Sequence, residues 1–213
     1  MSEYFEGGQL RRRNLMDEKY SDVIMTVDSN AVMMDFMYRK GFAKHTGYMT
    51  RGEALAVTNF AIYNQGIIST STVFTFDEFI HFKNYRGNGN GTTTFILVGN
   101  FAINLAGMKS ITLPDQLTSI GSGALRASGY TRLVLPKHLS SIPARGIQNT
   151  NLQKLVSLNP TPPTISATGW PTQAQIYVPD AAVDTYKAAS IWSNYAANIN
   201  PLSDYDGIII NEI

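Results

Sequence analysis

The chain has 213 residues, is 44% hydrophobic and 15% charged, carries a formal net charge of +1, and contains no cysteine. That apolar content suffices for a folded core, while a charge so close to zero excludes the large single-sign field that steers proteins to nucleic acid or to an anionic membrane. The lack of cysteine excludes disulfides, thiolate metal sites and a cysteine nucleophile, and no apolar run approaches the roughly 20 residues a membrane span needs.

Residues 1–20 are polar and aperiodic, with Arg11, Arg12 and Arg13 as a single basic cluster. Met1 to Gly8 brings no apolar run, so no secretory signal is expected. Such a stretch stays disordered unless a surface orders it, and it reads either as a docking arm or as a segment folded against its own domain. With net charge near zero, the three arginines read as solvated or protein-facing rather than phosphate-binding.

Asp28 or Ser29 is placed to cap a helix running through Ala31, Val32, Met33, Phe36 and Met37 to Lys40, with Gly41 as its stop. Its Met-rich face can either pack on the body or grip a partner, since methionine adapts its shape. Thr50 and Glu53 have the spacing of a capping box, and so have Thr75 and Glu78. The short helices they predict carry Leu55 and Val57 on one and Phe76, Phe79, Ile80 and Phe82 on the other. They read as the N-terminal cap that a stack of repeats needs. Asn84 to Thr94 is rich in glycine and asparagine, and lacks the lysine and the following helix of a phosphate-binding loop.

From Phe95 to Leu158 the sequence repeats with a period of about 22 residues, within the length range of leucine-rich repeats. Ile111-Thr-Leu-Pro114 returns as Leu133-Val-Leu-Pro136. Met108, Tyr130 and Leu152 share a slot, as do Ile111, Leu133 and Leu155. Leu117 matches Leu139, Ile120 matches Ile142, and Leu125 matches Ile147. One period earlier, Phe95, Val98 and Ile103 fall on the slots of Leu117, Ile120 and Leu125. A unit of this length cannot bury its own apolar face and must stack on neighbours. Each predicts a short strand, Ile111-Thr112-Leu113 or Leu133-Val134-Leu135, that turns Ile and Leu inward and is ended by proline. The inward positions read as core. Candidate binding residues are therefore the outward ones: Lys109, Thr112, Arg132, Val134, Lys137 and His138, together with Arg11, Arg12 and Arg13 of the arm.

Beyond the repeats, Asn159-Pro-Thr-Pro-Pro163 must be extended. Gln175 to Val178 predicts a last strand, and Asp180 is placed to cap a helix through Tyr186 that leads to a buried Trp192. Gly207-Ile-Ile-Ile210 is β-prone and reads as an addition to a sheet edge in the same chain or a neighbour.

Met108-Lys-Ser-Ile111-Thr-Leu-Pro114 followed by Leu117-Thr-Ser-Ile120-Gly-Ser-Gly-Ala-Leu125 resembles the BspA-type leucine-rich repeat of gut-bacterial surface proteins and of the bacteriophages that infect such bacteria. Pro162-Pro163, Ile176-Tyr-Val-Pro179, Tyr186-Lys187, Trp192 and Tyr195 resemble that family's ending, and the likeness spans roughly residues 50–206. Leu125 and Ile147 stand where the family usually has Phe, and Pro143 where it usually has Gly. The expected fold is an α+β repeat solenoid: a short stack of leucine-rich repeats of about 22 residues each, with an N-terminal helical cap and a C-terminal strand–helix cap. The expected division is residues 1–20 as an arm, 21–94 as the helical cap region, 95–158 as the repeats, and 159–213 as the C-terminal cap and tail.

Catalytic patterns are missing from the sequence. His45, His81 and His138 stand far apart, and no metal-ligand, nucleophile-elbow or phosphate-loop spacing is present. Asp77 and Glu78 read as acids favoured at a helix start, and Asp204 and Asp206 lack the closing glutamate of a calcium loop. No cofactor or metal is expected. The expectation is a non-enzymatic protein of recognition or assembly. The resemblance implies a bacteriophage virion component (a fibre, or a tail- or capsid-associated protein) assembled in the host cytoplasm. Its arm would dock on other virion proteins, its solenoid face would meet a host-surface protein or glycan, and homo-oligomerisation is expected. The alternative is a bacterial cell-surface adhesin or protein-binding module. Nucleic acid and membrane insertion are not expected.

Overall fold

The computed structural model describes residues 22–60, 68, 72–85, 96–97, 107–125, 129–148 and 151–209. The arm with Arg11, Arg12 and Arg13 lies outside them, as do Phe95, Val98 and Ile103.

The N-terminal region is built on an antiparallel pair, β1 (Val23–Thr26) and β2 (Tyr48–Thr50), with helix α1 (Val27–Arg39) between them in sequence and α2 (Arg51–Ala56) after them. Asn30 has φ −156°, so Val27 to Ser29 form a separate turn, closed by a reciprocal Thr26–Ser29 capping box. Helix α1 proper begins after Asn30, whose Oδ1 accepts from Met33 N at 3.3 Å. The cap is thus Asn30, next to the candidates Asp28 and Ser29 but neither of them. Helix α2 starts as its spacing predicts: Thr50 Oγ1 accepts from Glu53 N at 3.2 Å, and Glu53 Oε2 accepts from Thr50 N at 2.8 Å. Thr75 does not repeat the device. It lies in strand β3 (Phe74–Phe76), and the 3-10 turn Asp77–His81 after it has no side-chain cap.

Phe60 sits among rings of several different segments. Its centroid lies 6.0 Å from Phe36, 5.9 Å from Phe42, 6.0 Å from Phe76, 5.7 Å from Phe82 and 5.0 Å from Tyr85. The geometries are edge-on or tilted, which suits the ring quadrupole. Tyr85 keeps its hydroxyl satisfied by donating to Phe60 O at 2.8 Å, and burial raises its pKa.

Strand β4 (Ile96–Leu97) comes first, and from residue 119 to residue 178 the chain alternates between two sets of short strands. The strands β4, β6 (Ser119–Ile120), β8 (Ser141–Ile142) and β10 (Thr164–Ile165) form one parallel sheet. The strands β7 (Arg132–Leu135), β9 (Lys154–Ser157), β11 (Gln175–Val178) and β12 (Ile199–Pro201) form a second. A parallel pair needs a long crossover, and here the crossovers from β7 to β9 and from β9 to β11 each carry a strand of the other sheet. Arg132 lies opposite Lys154, Leu133 opposite Leu155, and Val134 opposite Val156, so β7 and β9 pair one sequence period apart. The inward row Leu133, Leu155 and Ile176 is buried, as is the row Ile120, Ile142 and Ile165 of the other sheet. Each such side chain contributes about 1.5–3 kcal/mol of burial free energy.

The same turn recurs between strands. Gly123 has φ 70° and Arg145, its equivalent one period on, has φ 61°. Glycine enters this left-handed region freely, whereas arginine is strained there. The C-terminal end is closed by α3 (Val183–Ala188) and a 3-10 segment, Trp192–Asn198. Trp192 is buried, as expected, and donates from Nε1 to Pro163 O at 2.8 Å. Tyr186 donates to Asn159 O at 2.7 Å and shares a 2.8 Å bond with Ser157 Oγ, while burial pushes its phenol up to about 12.

The expected α+β repeat solenoid with a helical N-terminal cap is corrected by this arrangement. The protein has an α/β fold with several parallel sheets. The region ahead of the periodic stretch is not a helical cap, since it contributes strands β1, β2 and β3 of its own. The ladder of outward-facing strands is also broken: β5 (Met108–Ile111) pairs in parallel with β3, outside the sheet of β7. One period before Arg132 stands Ser110, not Met108, so β5 starts out of phase with β7. A repeated apolar pattern fixes which residues lie opposite one another where strands pair; it does not fix which strands join one ladder. Thr112 and Leu113, expected within a strand, come after its end at Ile111.

Candidate functional site

Alternation along a strand sends Leu133 and Leu135 inward and Arg132 and Val134 outward. Pairing then lines up two outward rows across the second sheet. One runs Arg132, Lys154, Gln175; the other runs Val134, Val156, Tyr177, Asn200. Strand β5 continues this face with Ser110, which pairs with Thr75 of β3. Short strands with satisfied ladders hold these side chains at fixed spacing, which loops cannot do.

Where β5 meets β7 the face forms a hollow of about 250 Å3, lined by Asp77, Lys109, Ser110, Thr112, Arg132 and Val134 among others. Asp77 comes from the 3-10 turn after β3. Its two carboxylate oxygens accept from Ser110 Oγ at 2.6 Å and Thr112 Oγ1 at 2.8 Å. The carboxylate is therefore spoken for by hydroxyls, while Lys109 and Arg132 supply positive charge beside it. A second hollow of about 690 Å3, lined by Thr131, Asn151, Gln153, Lys154, Gln173 and Gln175 among others, opens at the N-terminal ends of β7, β9 and β11. It is rich in amides and hydroxyls, groups that both donate and accept.

Of the sequence candidates, Lys109, Thr112, Arg132 and Val134 are brought together in the first hollow. Lys137 and His138 are not. They lie exposed on the turn after β7.

Several residues of this face carry a fainter signal in the sequence. Lys154 stands one period after Arg132, so periodicity alone marks it. Asp77 has no such mark, because the parallel pairing of β3 with β5 is what delivers it. The C-terminal segment carries a misleading one: Gly207 to Ile209 form no strand. Instead the segment crosses the outward face. Ser203 N donates to Asp180 Oδ1 at 3.0 Å, and Asp180, expected to cap a helix, is instead the first residue of a 3-10 turn with no side-chain cap. The Tyr205 ring lies 5.0 Å from that of Tyr177, Lys154 Nζ binds Asp206, and Arg132 donates to Ile208 O at 2.9 Å. The Lys154–Asp206 hydrogen bond raises the lysine pKa and lowers that of the aspartate. Val156 is fully buried although it points outward.

Asn30 is the other polar group placed by the fold. It is buried, and its Nδ2 donates to Thr75 O and to Glu78 Oε2, both at 2.9 Å. Burial raises the Glu78 pKa. Arg51 bonds to His81 Nδ1 at 3.2 Å and pairs with Asp22 at 3.6 Å, tying α2 to its neighbours. Among the described residues no group of three or more His, Asp or Glu is arranged to hold a metal ion, and no helix is long and apolar enough to cross a membrane. No protein-family model matches this sequence, and no curated protein matches it.

Proposed function

We propose that the protein is a non-enzymatic structural or recognition protein that works through the outward face of its parallel strands. The observation that carries this reading is the pair of outward rows, in which hydroxyls, amides and two cations are held at strand spacing over a rigid core. Rigid presentation of this kind favours binding, because little side-chain and loop ordering remains to oppose it. The groups present position a partner: in the first hollow the Asp77 carboxylate accepts from Ser110 and Thr112 and so fixes both hydroxyls.

The specific form we propose, on the motif resemblance, is a bacteriophage virion component: a fibre, or a tail- or capsid-associated protein. Residues 1–20 attach it to other virion proteins, copies of the chain associate with one another, and the sheet face meets a host-surface protein or glycan. The test is the mass of the purified assembly by light scattering, with and without residues 1–20. A defined oligomer that is lost on deletion, with the thermal unfolding of the remainder unchanged, supports an anchoring arm. A monomer in both forms removes the virion reading and leaves a free-standing binding module, the role of a cell-surface adhesin.

A further inference from the structure

The C-terminal segment runs across strands β11, β9 and β7 in turn, touching Tyr177, Lys154 and Arg132. Among the described residues, no backbone hydrogen bond joins 206–209 to the sheet; the last backbone bond is Tyr205 N to Leu202 O at 3.0 Å. On the sheet side, side chains alone hold it. The fit is also incomplete. The Tyr205 hydroxyl is buried without a hydrogen-bond partner. Ile208 reaches the rim of the hollow with 76% of its surface exposed.

The face itself is complementary to an acidic chain. Lys109, Arg132 and Lys154 stand along it, and its own carboxylate, Asp77, is occupied by two hydroxyls. The segment that covers it, residues 203–209, reads Ser203-Asp-Tyr-Asp-Gly-Ile-Ile209, with acids at Asp204 and Asp206 and no base. An aromatic ring packs on Tyr177, a carboxylate meets Lys154, and a main-chain carbonyl a little further on meets Arg132. These are the elements of recognition for an extended peptide.

We propose that the outward face of the second parallel sheet is a docking site for an extended acidic protein segment carrying an aromatic residue followed by a carboxylate, with residues 203–209 as its built-in occupant. This rests on the recognition reading above and names the chemistry of the partner. The partner's segment displaces the chain's own, and Tyr177, Lys154, Arg132 and the hollow beside Asp77 receive it in order. A resident segment lowers the apparent affinity by the fraction of time it covers the site.

The test uses the full chain and a fluorescently labelled peptide of residues 203–213, followed by anisotropy. In the doubly substituted chain Tyr205→Ala, Asp206→Ala the built-in segment is released, and the peptide is expected to bind at least about tenfold more tightly than to the unsubstituted chain. Adding Lys154→Glu to the released chain is expected to abolish binding, and a peptide with Asp206→Lys is expected to restore it. The proposal is overturned by a released chain that melts normally and binds no peptide, by equal binding to both chains, or by binding that ignores Lys154→Glu. It is also overturned if the released chain fails to fold, since the segment is then part of the core. Any of these leaves the arm-deletion experiment untouched, so the two readings fail separately.

Discussion

The two halves of the molecule solve the burial problem by different means. In residues 22–85 the core is made of methionines and of rings gathered on Phe60, whose ring neighbours come from segments scattered along that region. In residues 107–158 it is mainly aliphatic and periodic, with Leu and Ile packing near their counterparts in the adjacent unit, and the rings of Trp170, Tyr186 and Trp192 close the far end. Both belong to one contiguous apolar cluster. The difference lies in how stability is distributed. One large ring concentrates many contacts at a single position, whereas periodic strands spread them over equivalent ones.

The largest expected effect tests that concentration. Phe60→Ala removes the hub of the aromatic cluster and is expected to cost about 3–5 kcal/mol by denaturant unfolding. Amide protection should fall first in residues 22–85. Uniform loss along the chain would show instead that the two halves unfold as one unit. Leu155→Ala, at a fully buried periodic slot, is expected to cost about 2–5 kcal/mol, with protection lost mainly in β7, β9 and β11. If both variants give the same protection map, the contrast between the halves is structural only.

Asn30→Ala sharpens the comparison at the seam between α1 and β3. It removes the cap of the helix and the two bonds to Thr75 O and Glu78, leaving a buried carbonyl and a desolvated carboxyl short of a partner. The expected loss is about 1–3 kcal/mol. The sign of its pH dependence follows from Glu78, whose pKa is raised. A carboxyl that ionises less readily when folded contributes stability below its unfolded pKa, and this is lost as pH rises through the folded value. Removal of the Asn30 bond, which favours the ionised form, should therefore make that loss steeper. Identical pH profiles for the two proteins would show that the bond does not tune Glu78.

Arg145→Gly probes the periodic half with the opposite sign. Its equivalent, Gly123, adopts the same left-handed turn without strain, and Arg145 is exposed. The substitution is expected to stabilise by about 0.5–1 kcal/mol, the strain relieved exceeding the added freedom of the unfolded chain. No gain in melting temperature would mean that the turn is not strained.

The smallest effect concerns the segment over the sheet. The Asp206 pKa is lowered by Lys154, so its share of the contact is present above the unfolded carboxylate value and lost as pH falls through the folded one. The Lys154 pKa is raised, so that side of the pair persists through neutral pH and fails only in alkali. The tyrosine resonances of Tyr177 and Tyr205 should therefore separate below about pH 4 with the global fold retained. Ring signals that stay unchanged to the point of acid unfolding would show that the packing of Tyr205 on Tyr177 and the Arg132–Ile208 bond hold the segment without the ion pair.

The same contrast separates what is legible in the sequence from what is not. The strand positions of β7 and β9 follow from the apolar period, and so does the shared face of Arg132 and Val134. Lys154 belongs to the same series and is legible by the same rule. Asp77 is not, since its place in the first hollow depends on β3 pairing with β5, a strand far from it in sequence. The expectation of a capped solenoid failed for that reason: a period describes neighbouring units, and the strands ahead of β4 belong to no unit.

The residue pattern alone set the inward and outward sides of the periodic strands, the capping box of Thr50 and Glu53, the end of β7 at Pro136 and the burial of Trp192. Most of these are set by residues close in sequence, or repeated at a constant interval, and a large ring such as Trp192 has few favourable places outside a core. Only the tertiary structure decided the ring cluster around Phe60, the buried bonds of Asn30, the membership of each sheet and the path of residues 203–209 across the face. Those depend on contacts between segments with no common pattern, where many pairings satisfy the same apolar alternation and the packing of the whole chain selects one.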